Sequence, residues 1–392
     1  MADRRIPAFA LVGGLILLGL FGPGGADLRA QQGFAGLGTR TEGYAAVPDT
    51  PDLRFPRDHG AHPDFRIEWW YLTANLTDEK GAPLGIQWTL FRQAVRPPAR
   101  TTAQQDGATP ATPWASDQLW MGHAALTTRT RHLFAEKLAR DGVGQAGVQL
   151  DPFTAHIDDW RLSAPDTPGE RLSPVRLQAS ADGFSYDLTL DARGPLVRHG
   201  KGGVSRKSDR GQVSIYLSQP FYEVRGRIRV AGEQRTVTGR AWLDREWSSQ
   251  PLAADQTGWD WFSLHLSGGA RLMLFRLRGD KGAPFKAGSW IAPDGQVTPL
   301  NGAAITMRPL EETTLAAGRV PTRWRVTLAG RDVTLTVTAL NKAAWNPGRV
   351  AYWEGPVTVS GSHGGRGYLE MTGYDSESLR SDRNDTGSPQ SR

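Results

Sequence analysis

The sequence predicts an all-β protein built as two tandem barrel-like lobes with few helices, and three observations carry that expectation. Runs of strand length, rich in aromatic and branched residues, recur at short spacing between Gly, Pro and Asp. Amphipathic helical spacing is nearly absent. The pattern also restarts past residue 250. Glu68-Trp69-Trp70-Tyr71-Leu72 is echoed by Asp260-Trp261-Phe262-Ser263-Leu264, and each run leads through a turn to Leu-Phe-Arg, at Leu90-Phe91-Arg92 and at Leu274-Phe275-Arg276. The two connections differ by eight residues, an even number that keeps the same face pointing inward. At 392 residues the chain is long enough for two cores, and its 46 Gly, 26 Pro and 14 Trp favour strands and turns over helices.

In chain order, Arg4 and Arg5 precede an apolar run from Ile6 to Phe21 and a small-x-small site at Gly24-Gly25-Ala26, which reads residues 1–30 as a secretory signal, with an uncleaved membrane anchor as the alternative. The folded part is therefore expected outside the cytoplasm, exported to a bacterial envelope as a periplasmic or secreted protein. Residues 31–58 read as a linker or loosely held arm. An N-terminal lobe follows over 59–250, with its first strand near Phe65. Leu84 to Arg92, Leu119 to Thr127, Ala155 to Leu162, Val175 to Ser180, Phe184 to Asp191, Val213 to Pro220, Glu223 to Val230 and Thr236 to Trp242 are further strand candidates. Pro97 to Pro113 and Gly194 to Arg210 read as mobile loops. A second lobe occupies 256–375, and the Ser/Asp/Arg/Asn-rich residues 376–392 read as a disordered tail.

The chemistry concentrates between Gly239 and Leu266. Asp244 and Glu246 stand between Trp242 and Trp247, and Asp260 stands between Trp259 and Trp261. As strands, Trp242, Asp244 and Glu246 share one face while Leu243, Arg245 and Trp247 share the other; Asp260 shares a face with Phe262, Leu264 and Leu266. An acid on an apolar face is either paired or kept protonated, because burying a lone carboxylate costs about 3 kcal/mol or more. The protonated outcome makes a proton donor.

Other chemistries find little support. With no cysteine there is no disulfide, thiolate metal site or lipoprotein acylation. No HExxH, His-x-His, P-loop or Gly-x-Ser-x-Gly pattern occurs, so no metal or nucleotide cofactor is expected. The net charge of +6 is scattered rather than clustered, which argues against nucleic acid as a partner.

Six motifs then line up in one order: His62; Glu68-Trp69-Trp70-Tyr71; Gly239 to Trp247; Gly258-Trp259-Asp260-Trp261-Phe262; Tyr352-Trp353-Glu354-Gly355; and Gly367 to Tyr374. This set resembles the AttH and carotenoid 1,2-hydratase superfamily. The resemblance implies two tandem lipocalin-like β-barrel lobes with an apolar ligand site. Its cofactor-free hydratases protonate a carbon–carbon double bond and add water, and its exported members, often labelled predicted secreted hydrolases, often accompany ABC transporter permeases. Trp247 and Asp260 match the hydratases' important positions, whereas Arg245 stands where they have His and Gly258 where they have an aromatic residue.

Asp260 is accordingly the expected general acid, with Glu246, Asp244 or Glu68 as the base or acceptor for water. Trp70, Trp247 and Trp261 are the expected cation-stabilising rings, and Tyr71, Arg245, Trp259 and Trp353 complete the expected ligand contacts. Two functions remain open. One is a cofactor-free hydratase or isomerase acting on a lipid, polyene or terpenoid; the other is a non-catalytic carrier of such a hydrophobic molecule for an ABC-type permease.

Overall fold

Strand propensity and alternation are realised almost throughout the computed structural model, which describes residues 42–98, 116–280 and 282–374. The first sheet takes in Ile67–Asp78 (β1), Pro83–Ala94 (β2), Gln118–Thr128 (β3), His132–Arg140 (β4), Ala146–Leu150 (β5), Phe153–Ile157 (β6) and Trp160–Ser163 (β7). It continues through Val175–Ala181 (β8), Phe184–Ala192 (β9), the short Val197–Arg198 (β10) and Val204–Arg206 (β11), then Val213–Val230 (β12) and Glu233–Ser248 (β13). The second holds Gln256–Leu266 (β14), Arg271–Gly279 (β15), Phe285–Ile291 (β16), Val297–Asn301 (β17), Ile305–Leu315 (β18) and Gly318–Leu328 (β19). Val333–Ala339 (β20), Trp345–Asn346 (β21), Tyr352–Gly361 (β22) and Gly365–Thr372 (β23) complete it.

The strand orders are β4-β3-β2-β1-β13-β12-β9-β8-β7-β6-β5 and β17-β16-β15-β14-β23-β22-β20-β19-β18, so in each lobe a late strand returns beside the first. Both sheets are antiparallel and curl into barrel or half-barrel shapes. In the first, Trp70, Leu72, Ile86 and Trp88 from one half and Phe153, Ile157, Leu177 and Leu188 from the other share a single core. The second encloses Phe262, Leu264, Trp324, Val326, Trp353 and Leu369. These are inward-facing, alternate residues, as a curled antiparallel sheet requires.

Several local expectations are corrected. The strand expected over Ala155 to Leu162 is two, β6 and β7, because the chain turns at Asp158 with φ 51°. The two expected from Val213 to Val230 are one long strand, β12, and the break at Pro220 is a bulge between Gln219 and Tyr222. Of the expected linker, residues 42–58 are packed: Val47, Leu53 and Phe55 cover Ile215, Leu217 and Trp247, and the Tyr44 hydroxyl donates to Ala94 O at 3.0 Å. Gly194 to Arg210 is likewise anchored, with β10 and β11 on β12 and with His199 and Lys207 buried. The leader over 1–30, most of the Pro97 to Pro113 loop and the tail over 376–392 lie outside the described residues.

The internal repeat has a physical meaning. Glu68 sits opposite Arg92 across β1 and β2, and Asp260 sits opposite Arg276 across β14 and β15, so each Leu-Phe-Arg delivers the arginine that pairs the acid. Glu68, fully buried, accepts from His62 Nδ1 at 2.7 Å, from Arg245 Nη2 at 2.7 Å and from Arg92 Nε at 3.2 Å. Burial would raise its pKa, but the charges of Arg245, His62 and Arg92 outweigh burial and lower it to about 2.

Two predictions follow from this architecture. A carboxyl with a lowered folded-state pKa adds stability that is complete above its unfolded value and disappears as pH falls through the folded one. Denaturant titrations should therefore show the wild type losing about 3 kcal/mol between about pH 4.5 and 2 through Glu68, a limb missing from Glu68→Gln. That variant should also be about 3 kcal/mol less stable at neutral pH, because it leaves Arg92 and Arg245 buried without their carboxylate; equal stability would remove the ion cluster from its structural role. A Cβ on Gly85 would lie 2.5 Å from Tyr368 Oη and 2.9 Å from Pro356 Cβ in the opposite lobe. Gly85→Val should then cost about 1–3 kcal/mol and enlarge the radius seen by solution scattering, with each lobe still folded.

Candidate functional site

The outward faces of β1, β13 and β12 are not solvated. Tyr71, Tyr216 and Trp242 from the first lobe pack with Trp261, Met273, Phe275 and Tyr368 from the second in one buried cluster, so the apolar outer faces of the two curled sheets form a seam. Direct bonds cross it: Tyr71 OH donates to Glu354 Oε1 at 2.5 Å and Trp261 Nε1 to Tyr216 OH at 2.9 Å. A cavity of about 290 Å³ opens along the seam, walled mainly by Trp69, Tyr71, Phe91, Met121, Leu252, Trp259, Trp261 and Phe275. It lies at the small end of the range for small-molecule sites.

Into this apolar space project Asp244, Glu246, Glu370 and Lys207. Asp244 accepts from Trp242 Nε1 at 2.6 Å, Tyr216 OH at 2.7 Å and the Ser218 hydroxyl. Burial raises its pKa to about 7 against the lowering effect of those three donors. Glu370 accepts from Trp259 Nε1 at 2.6 Å; burial again raises it to about 7, with a further upward push from the charge of Glu246. Glu246 accepts from Ser214 Oγ at 2.5 Å and pairs with Lys207 Nζ at 2.7 Å. That ammonium also lies 4.7 Å from the Tyr216 ring and 4.5 Å from the Phe275 ring. Behind the wall, burial and then the charge of Glu370 raise Glu354 well above the ordinary carboxyl range. The site thus holds protonatable carboxyls and the Lys207 ammonium under aromatic rings.

The face assignments read from alternation place the candidates. Asp244, Glu246, Tyr71, Trp259 and Trp261 reach the cavity. The others do not, and each has a physical reason. Asp260 was expected as an unpaired acid among apolar side chains; it points into the second barrel, where Arg276 Nε lies 2.6 Å and Arg278 Nε 3.4 Å away and the Tyr374 hydroxyl donates at 2.8 Å. Glu68 is held in the mirror position of the first barrel. Arg245, expected at the ligand, turns inward to Glu68 and lies 3.8 Å over the Trp70 ring. Trp70 and Trp353 are core side chains with no exposure, and Trp247 stacks on His62 at 3.9 Å.

Glu370, Lys207 and Tyr216 went unrecognised as site residues in the sequence. Glu370 had a signal: it sits opposite Trp261 as Glu246 sits opposite Trp69, so the repeat marks the two acids as counterparts. Lys207 had none, because the segment carrying it has no periodicity. His123 also lines the cavity, bonds Tyr352 OH at 2.9 Å through Nδ1 and Glu136 Oε2 at 3.1 Å through Nε2, and has its pKa lowered by burial. Among the described residues no three His, Asp or Glu side chains converge as metal ligands.

Known proteins give this geometry a setting. No curated protein matches the sequence. A crystal structure from Nitrosomonas europaea, described as an AttH protein, is similar over 84% of this chain and 99% of its own, at 34% identity and a TM-score of 0.72. Kievitone hydratase from Nectria haematococca shares the fold, with 14% identity, a TM-score of 0.63 and coverage of 86% of this chain and 97% of its own. The AttH-like family model matches residues 46–374, and with that span and the identity to the Nitrosomonas protein, the chain belongs to the AttH-like family.

Proposed function

We propose that the seam cavity binds an apolar or amphipathic molecule and that the protein acts on it as a cofactor-free hydratase or isomerase, with Asp244 as general acid. The observation that carries this reading is a carboxyl with a pKa raised to about 7, set by hydrogen bonds in a wall of Trp and Tyr rings. Such a group is protonated in a useful fraction near neutral pH and so is available there as a proton donor.

In this reading the π pair of a ligand double bond takes the proton from Asp244, forming a C–H bond and leaving a cation on the adjacent carbon. The faces of Trp259, Trp261 and Tyr71 stabilise that cation, each by about 0.5–2 kcal/mol. Water then adds to the cation and yields its proton to ionised Asp244, directly or by way of Glu370, which restores the acid and closes the cycle as a hydration. Loss of a proton from a neighbouring carbon to ionised Asp244 instead gives an isomer and likewise restores the acid. Lys207 keeps Glu246 occupied and leaves Asp244 and Glu370 for proton transfer. The kievitone hydratase likeness supplies the fold alone and no residue roles. Residence in a bacterial envelope belongs to the same proposal and rests on the leader-like run from Arg4 to Phe21.

Lipid extraction and native mass spectrometry of the protein from its own host, beside Asp244→Asn and Glu370→Gln, would identify what the cavity holds. The expected result is an unaltered polyene or terpenoid on Asp244→Asn and a product one water heavier, or an isomer, on the wild type. Turnover by Asp244→Asn should be about 10²–10⁴-fold slower. Because the acid form is the active one, the wild-type rate should be steady below about pH 7 and fall about tenfold per unit above it. One lipid, unaltered and equally retained by all three proteins, would overturn catalysis and assign the chain to carriage, with an ABC-type permease as its partner.

A further inference from the structure

Counting protons around Asp244 fixes more than its pKa. Its Oδ1 accepts from Trp242 Nε1 and from the Ser218 hydroxyl, and its Oδ2 accepts from Tyr216 OH. Ser218 has a single hydroxyl proton and directs it at Asp244, so in its 2.7 Å contact with His199 Nε2 the serine oxygen accepts and Nε2 carries the hydrogen. A neutral imidazole protonated at Nε2 has a bare Nδ1, and the Ser289 hydroxyl, 2.9 Å away, donates to it. His199 is neutral: burial, then the charge of Lys207, lowers its pKa to about 3. The chain Ser289 to His199 to Ser218 to Asp244 therefore points every hydrogen one way, and it joins the second lobe to the first.

The two carboxyl oxygens are not equivalent in this frame. Oδ1 meets two donors, one of them an indole that can do nothing but donate. Oδ2 meets one, a tyrosine hydroxyl that itself accepts from Trp261 Nε1 and so is aimed at the acid. The vacant lone pair is on Oδ2. His199 also packs its ring 4.3 Å from the Tyr216 ring, which braces both hydroxyls that hold the acid.

We propose that His199 is a positioning residue: through Ser218 it keeps Asp244 Oδ1 saturated and confines the transferable proton to Oδ2, the oxygen held by Tyr216 at the cavity wall. This rests on the reading of Asp244 as the general acid. The other charged or titratable groups facing the pair are Glu246 on β13, Tyr216 on β12 and Lys207, with Glu370 beyond on β23; only Lys207 acts on His199 by charge.

The test uses the full chain without ligand, labelled with ¹⁵N at histidine and ¹³C at aspartate, between about pH 5 and 9. Asp244 should titrate near neutrality while His199 keeps the shifts of the Nε2–H tautomer throughout. A proton on Oδ1 would force Ser218 to turn round and switch His199 to the Nδ1–H tautomer in step with Asp244, and that switch would overturn the proposal. Ser218→Ala removes a donor to the ionised form, so the Asp244 midpoint should rise by about one unit. His199→Phe should shift it the same way, and His199→Gln, whose amide can donate to Ser218, should restore it. Unmoved midpoints in folded Ser218→Ala and His199→Phe would also count against the idea. None of these readings needs turnover, so a failure here is separable from a failure of Asp244 as catalyst, which the Asp244→Asn rate decides.

Discussion

A carboxylate taken out of water must either meet a cation or accept a proton, and this molecule uses both answers on opposite faces of the same sheets. Inside the barrels, Glu68 and Asp260 meet arginines from the neighbouring strand. On the outside, along the seam, Asp244 and Glu370 meet only neutral donors and their pKa values rise to about 7. Strand alternation separates the two populations by one residue: Asp244 and Glu246 face the seam, while Arg245 between them faces the barrel. Slipping β13 by one position would exchange a buried carboxyl for a fixed cation at the seam, so the register of β1 against β13 sets the charge on both faces.

Much of this was legible. The all-β class and the faces of Trp242, Asp244, Glu246 and Asp260 follow from period-two alternation, a property local to each strand, and the two lobes follow from the repeat past residue 250. Which buried carboxyl is left without a cation was not legible, because it depends on partners far away in sequence. The sequence singles out Asp260 because its neighbours are Trp259 and Trp261, yet those rings face the seam and its own cross-strand neighbour is Arg276. The repeat of Leu-Phe-Arg held the missing information. Two connections that differ by an even number of residues place each arginine against its acid, a step that requires pairing the strands as well as aligning them.

Lys207 and His199 show the other limit. Both lie in a Gly-rich stretch with no period, and both are buried because that stretch folds against β12 and meets the second lobe. Nothing local announces such burial. The donors that hold Asp244 come from the same source: Ser218 and Tyr216 are ordinary strand residues until β12 is placed beside β13.

The barrels are filled by their own tryptophans, Trp70 and Trp88 in one and Trp324 and Trp353 in the other. A cup-shaped barrel has a capacity fixed by the number and tilt of its strands, and changing it means rebuilding the fold. A hollow between two finished bodies is set instead by how closely they stand, which here depends on a few contacts such as Gly85 against Tyr368 and Pro356. Relatives of this architecture can therefore resize the space they offer by substituting at those contacts, leaving both interiors untouched.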